Sequence, residues 1–173
     1  MGNRKSVIVL LLILSSIVLL FFIPFRQVLA FEYQDSGRLL AYIPLTKEEK
    51  FKIKYTHSIH LTDVIESYQM TKNGEIKQYE LMYEDFSIGM PENAGEGEIF
   101  EQKDGKYYLK NMNRVFPYFD LRLGQVRANH TAIYKDREYP LSNYIKPGTW
   151  IRIKIEKMNL FQLSKGVNIL EST

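Results

Sequence analysis

The chain has 173 residues, room for one domain and a leader, and its 45% hydrophobic and 25% charged content excludes a disordered polypeptide. Its formal charge of +3 belongs to the N-terminus: residues 1–30 hold Arg4, Lys5 and Arg26 with no acid, and the rest balances 20 bases against 20 acids, so nucleic-acid binding loses its electrostatic support. Cysteine is absent, which excludes thiolate catalysis, thiolate metal sites and disulfides together.

Residues 1–5 form a short positive start, and residues 7–25 follow with no charge, broken only by Ser15, Ser16 and Pro24. As a helix this apolar run would span about 28 Å, close to the roughly 30 Å hydrocarbon core of a bilayer. The positive end stays in the cytoplasm on this reading, and everything after Phe25 lies outside. Two outcomes fit residues 1–30. Val28 and Ala30 stand at the −3 and −1 positions of a signal-peptide cleavage site, so secretion after cleavage following Ala30 is one. Retention as a single-pass anchor in the cell membrane is the other, favoured by the length of the run. Residues 31–37 read as a short linker, and residues 38–173 as a β-rich extracytoplasmic domain.

From Arg38 onward, apolar and polar residues alternate over short runs separated by turn dipeptides. Phe51, Ile53, Tyr55 and His57 share one face of a strand, with Lys52, Lys54 and Thr56 on the other. Residues 64–70 form the next strand and reach Asn73-Gly74, a hairpin signal. A two-residue turn there sets Met70 opposite Lys77, Tyr68 opposite Tyr79, Glu66 opposite Leu81 and Val64 opposite Tyr83. Asp104-Gly105 similarly places Phe100 opposite Leu109. Residues 119–123 are expected to turn at Gly124-Gln125 and return through 126–134. After Pro147-Gly148, Ile151, Ile153 and Ile155 face inward while Arg152 and Lys154 face out. Eight to ten short strands predict an all-β fold, a single antiparallel sandwich or partly closed barrel behind one N-terminal hydrophobic helix.

Two polar residues break the apolar strand faces. His57 ends one face, and Glu66 stands on the next strand between Val64 and Tyr68. With residues 58–63 as the connecting turn, His57 faces Glu66 directly, or faces Val64 with Glu66 diagonal. A buried carboxylate needs a partner, and imidazole can be one. Such a pair can be structural, can contact a ligand or metal, or can serve acid–base chemistry, although no nucleophile is placed beside it. Ser58 points to the opposite face from His57. His60 and His130 lack zinc-motif spacing, and His130 reads as structural.

The remaining neutral body is polarised. Residues 31–102 carry 7 bases and 14 acids, and residues 103–173 carry 13 bases and 6 acids. Residues 80–102 hold seven acids and no base, either to pair with the basic half or to present an acidic loop. Residues 88–97 contain three glycines and Pro91 among glutamates, which disfavours phosphate and leaves calcium chemically possible, although the spacing fits no EF-hand. No cofactor motif is present and no cofactor is expected; whether any metal binds is left open.

The run from Tyr55 through His57, Ser58, Thr62, Val64 and Glu66 to Tyr68, followed by Gly89-Met90-Pro91, resembles the family called domain of unknown function 1850. Tyr139-Pro140-Leu141 and Pro147-Gly148-Thr149-Trp150 also look like the family's ending, so the similarity reaches from Arg38 to Lys157. The chain departs from the pattern at Asp63, where the family has proline, and at Ser87, where it has glycine. The resemblance implies an accessory factor of tripartite (TRAP-type) transporters of the TAXI class, which import organic acids and beside whose genes the family's genes typically lie.

The sequence thus predicts a non-catalytic extracytoplasmic accessory domain that binds a transporter component or its solute. Its partners would be the membrane through the N-terminal segment, and a TAXI-type solute receptor or TRAP permease. The expected contact residues are Tyr55, His57, Ser58, Thr62, Glu66, Gly89, Met90 and Pro91. A hydrolase-like enzyme using a His57–Glu66 pair and a calcium-dependent structural module are the alternatives.

Overall fold

Alternating runs of β-branched and aromatic residues, interrupted by turn-forming pairs, fold into strands throughout the body of this chain. The structure, a computed structural model, describes residues 2–46, 50–85 and 90–172. A helix, α1 (Gly2–Leu20), leads into β1 (Arg26–Tyr33), β2 (Arg38–Pro44), β3 (Lys50–Thr56), β4 (Asp63–Met70), β5 (Ile76–Tyr83), β6 (Ile99–Lys103) and β7 (Lys106–Phe116). Then come β8 (Tyr118–Arg122), β9 (Thr131–Tyr134), β10 (Arg137–Pro140), β11 (Trp150–Met158), a one-turn helix α2 (Leu160–Leu163) and β12 (Val167–Asn168).

The fold is all-β in two sheets. One has the order β12-β2-β1-β11-β8, and the other β10-β9-β3-β4-β5-β7-β6. Phe31, Ile43, Ile151 and Ile153 from the first sheet share a buried cluster with Phe51, Ile53, Tyr68, Ile76 and Ala132 from the second. A smaller cluster of Val64, Leu81, Tyr83, Leu109 and Met112 extends the inner face of the seven-stranded sheet beyond it. Every member comes from β4, β5 or β7.

The structure redraws the N-terminal boundary. Residues 31–33, read as the start of a linker, and residues 26–30, read as leader, together form β1. That strand runs between β2 and β11, pairing Phe31 with Ala41 on one side and with Ile153 on the other. Val28, Leu29, Ala30 and Phe31 have no exposed surface. The continuous apolar character that resembles a leader is that of a strand buried on both faces. Among the described residues no helix is long and apolar enough to cross a membrane. α1 ends at Leu20, and residues 21–25 of the apolar run leave the helix as turn and extended chain.

Turn chemistry fixes the registers, with two departures from expectation. At Asp104-Gly105 both residues take positive φ, 52° and 74°, and Phe100 pairs with Leu109 as expected. At Asn73-Gly74 only Gly74 is left-handed, and Thr71 closes the loop by donating its N–H to the Glu75 carbonyl. This longer turn pairs Met70 with Ile76 and Tyr68 with Gln78, one residue off expectation. A bulge then restores the expected pairs Glu66–Leu81 and Val64–Tyr83. The second departure is β8. It pairs with β11, Leu121 opposite Ile151, while the chain after Gly124 crosses to the other sheet and forms β9 against β3.

Candidate functional site

β3 and β4 carry the polar residues singled out by the sequence, and their register decides which of them meet. Ile53 pairs with Glu66, Tyr55 with Val64 and Thr56 with Asp63. The His57 N–H then donates to the Thr62 carbonyl at 2.8 Å, and the Leu61 N–H donates to the His57 carbonyl at 3.0 Å. The turn is therefore the four residues 58–61, shorter than the 58–63 expected. His57 stands four residues from the partner of Glu66, about 13 Å along the strand. The expected His57–Glu66 pair does not form. A hydrolase built on that pair loses its premise.

Glu66 has a different partner. The Tyr68 hydroxyl donates to Glu66 Oε2 at 2.5 Å. Burial pushes the Glu66 carboxyl above its ordinary range, and the Tyr68 hydrogen bond pulls against that shift. Burial, and then the Glu66 charge, raise the phenols of Tyr55 and Tyr68 as well. The Tyr68 ring is fixed between Phe51, with centroids 5.2 Å apart, and Phe119 at 5.0 Å. Tyr55 lies 5.5 Å from the His130 ring. His130 accepts the Gly124 N–H on Nδ1 at 3.1 Å, and burial lowers its pKa. This interior group holds strands in register; none of its side chains is an activated nucleophile.

The other predicted residues lie outside that interior. His57 and Ser58 sit at the start of the β3–β4 turn, and Thr62 closes it. The rings of His57 and His60 are 5.9 Å apart, and His60 Nδ1 lies 4.0 Å from Asp85 Oδ2. Between the two histidines and beyond them, Ile59 and Leu61 are 62% and 56% exposed. Leu61 has φ 58°, a left-handed conformation that a leucine seldom takes. Two aliphatic side chains are thus presented to solvent by a turn whose backbone hydrogen bonds are made.

Gly89 lies outside the described residues. Met90 packs with Tyr55 on the smaller cluster, and the Tyr83 hydroxyl donates to the Pro91 carbonyl. Farther along the same loop, Glu98 accepts from the Gly95 N–H at 2.9 Å and pairs with Arg114 at 3.2 Å, while Asn111 donates to the Gly97 carbonyl. Glu84 pairs with Lys106 and Glu101 with Lys110. The acidic stretch thus finds bases of β7, as pairing of the two halves requires. Among the described residues no cluster of three His, Asp or Glu is arranged to hold a metal.

A family model described as domain of unknown function (DUF1850) matches residues 51–141. The chain belongs to this family. No curated protein and no solved structure matches it. The DUF1850 motif residues divide into two sets in space. Tyr55, Val64, Glu66 and Tyr68 point into the sheet's inner face, while His57, Ser58 and Thr62 build the solvent-facing turn. Met90 goes with the first set, since it rests on the cluster that Tyr55 also covers, and Pro91 is tied there by the Tyr83 hydroxyl.

Sequence reasoning missed two groups. Ile59 and Leu61 carried a signal, two aliphatics inside a turn, that alternation counting discards. Glu32 lies within the apolar tract of β1 and is 3% exposed. Lys154 reaches its Oε2 at 3.0 Å and Glu156 Oε2 at 3.2 Å on the outer face of the five-stranded sheet. Burial raises the Glu156 carboxyl, Lys154 opposes the shift and Glu32 adds to it.

Proposed function

We propose that this chain is a non-catalytic, extracytoplasmic accessory domain of an organic-acid transport system of the TRAP/TAXI type, held to the membrane by residues 7–25. It binds a solute receptor or permease of that system through the β3–β4 turn. The observation that carries the contact is the exposure of Ile59 and Leu61 between His57, His60 and Asp85. Aliphatic side chains on a hydrogen-bonded turn lose little further entropy when a partner covers them, which favours binding. The flanking imidazoles and the Asp85 carboxylate supply a polar rim. The link to organic-acid transport follows the family resemblance.

Retention of the N-terminal segment is supported by β1. Cleavage after Ala30 would remove Arg26 to Ala30 from a strand paired on both sides. The two sheets meeting over one shared cluster support a sandwich rather than a closed barrel.

The test places a photo-crosslinking residue at position 59 of the full chain, co-expressed with receptor and permease. Adducts with one of those proteins are expected from position 59 and not from position 115, where Val115 is 45% exposed at the end of the sheet away from the turn. Ile59→Asp with Leu61→Asp should abolish pull-down of that partner. Undiminished pull-down and transport by the double variant would refute the reading.

A further inference from the structure

The end of the apolar N-terminal run is stitched to one corner of the domain. The Phe25 N–H donates to the Met158 carbonyl at 3.2 Å, and Asn159 Nδ2 donates to the Phe22 carbonyl at 3.2 Å. The rings of Phe22 and Phe161 lie 5.7 Å apart. Only five residues separate α1 from β1, so the run enters the domain without a tether.

α2 stands at this corner with an apolar side turned away from the protein. Leu163 packs against Val28, Ala30, Leu39 and Met158, whereas Leu160 and Phe161 are 42% and 48% exposed. Their exposure is not fraying. Asn159 Oδ1 accepts the Gln162 N–H at 2.8 Å and Gln162 Oε1 accepts the Asn159 N–H at 3.0 Å, a capping box that fixes the turn. The exposed cations of this corner are Arg26, the strand partner of Met158, and Lys165, two residues beyond α2, and no acid occurs from residue 157 to residue 170. Lys165 Nζ lies 4.2 Å from the centre of the Phe161 ring.

We infer that Leu160 and Phe161 dip into the outer surface of the phospholipid bilayer, with Arg26 and Lys165 at the level of its phosphates, so that this corner of the domain lies flat on the membrane. The inference rests on the reading that residues 7–25 are inserted. Given that insertion, a ring 5.7 Å from Phe22 has the bilayer as its nearest neighbour. Apolar side chains beside cations match the headgroup boundary, where hydrocarbon lies beneath anionic phosphate. The Lys165 ammonium over the Phe161 ring keeps charge and aromatic at one depth, as that boundary requires.

The experiment uses the full chain in vesicles of phosphatidylcholine and phosphatidylglycerol, with Trp150→Phe removing the one native tryptophan. Single tryptophans enter as Leu12→Trp, Phe161→Trp or Ile59→Trp, and phosphatidylcholine brominated on its acyl chains quenches those near hydrocarbon. Leu12→Trp and Phe161→Trp are expected to lose at least half their emission, and Ile59→Trp to be unaffected. Quenching of Leu12→Trp without Phe161→Trp overturns the docking and leaves the anchor standing. If neither is quenched, the anchor reading falls and takes the docking with it. Protection of Phe161→Trp that disappears on dilution of protein into lipid would mean that a second copy covers the corner, which also overturns the inference.

Discussion

The two sheets of this domain differ in where their strands come from. β3, β4, β5, β6, β7, β9 and β10, the whole seven-stranded sheet, fall almost entirely within the stretch matched by the family. The five-stranded sheet takes only β8 from that stretch and draws β1, β2, β11 and β12 from the flanks. Yet one buried cluster joins Phe31, Ile43 and Ile153 to Phe51, Ile53 and Tyr68. The matched stretch therefore supplies one face of a core whose other face comes mostly from chain outside it. A motif can report where contacts are made without delimiting what folds.

Removing the flank should break that arrangement most severely. A chain beginning at Phe31 lacks Val28, Leu29 and Ala30, all without exposed surface. Burying one such aliphatic side chain stabilises by about 1.5–3 kcal/mol, against a total stability of about 5–15 kcal/mol. Circular dichroism should show no cooperative thermal transition for that chain, and a sharp one for a chain beginning at Gly2. Cooperative melting of both would mean that the first sheet tolerates half a strand.

Single truncations in the core compare the sheets directly. Ile53→Ala lies inside the family match and Ile153→Ala outside it, and both residues have no exposed surface. Each should cost about 2–5 kcal/mol in urea unfolding, since cavity formation does not respect the motif. A loss confined to Ile53→Ala would show the seven-stranded sheet folding alone.

The Glu66 carboxyl sharpens the comparison through pH. Its pKa is raised above 4.5 in the folded chain, so between that value and the raised one the folded state holds more protons than the unfolded state. Stability contributed by this group is complete below the window and falls as pH rises through it. Glu66→Gln cannot titrate but keeps an acceptor for Tyr68, so its melting temperature should gain on that of the native chain from acid toward neutral pH. His130 acts in the opposite direction, because burial lowers its pKa and protonation disfavours the fold as pH falls through the window below 6.5. A constant difference between native and Glu66→Gln melting temperatures across that range would show Glu66 to be as well solvated as a surface acid. The smallest effect belongs to the turn: Ile59→Asp should change stability by no more than about 0.5 kcal/mol, as other exposed substitutions do.

The sequence carried the local decisions better than the distant ones. Asp104-Gly105 announced its register because two residues fit a turn in which both φ values are positive. Asn73-Gly74 looked equivalent, but Thr71 closes a longer loop, and the slip it causes is cancelled by a bulge that no pattern encodes. β8 was recognisable as a strand from its alternation, while its partner β11 lay too far along the chain for turn chemistry to name. Glu66 lies on an apolar strand face, as expected, whereas β3 ends at Thr56 and His57 belongs to the turn. Their separation hung on two residues of turn length, and the shorter turn moved them apart. β1 was hidden because a strand buried on both faces and the end of a hydrophobic leader have the same composition.

The central position of β1 also imposes an order on assembly. As the chain emerges N-terminus first, Phe31 can pair with Ala41 almost at once, but its second partner, Ile153, follows 112 residues after Ala41. At a synthesis rate of about 5–20 residues per second, the β1–β2 hairpin waits many seconds with one hydrogen-bonding edge open. Open apolar edges are templates for pairing with the wrong chain. Nascent copies of this protein are therefore most vulnerable to clumping just before β11 arrives, and a holdase that shields a hairpin edge would raise its yield more than one that binds exposed loops.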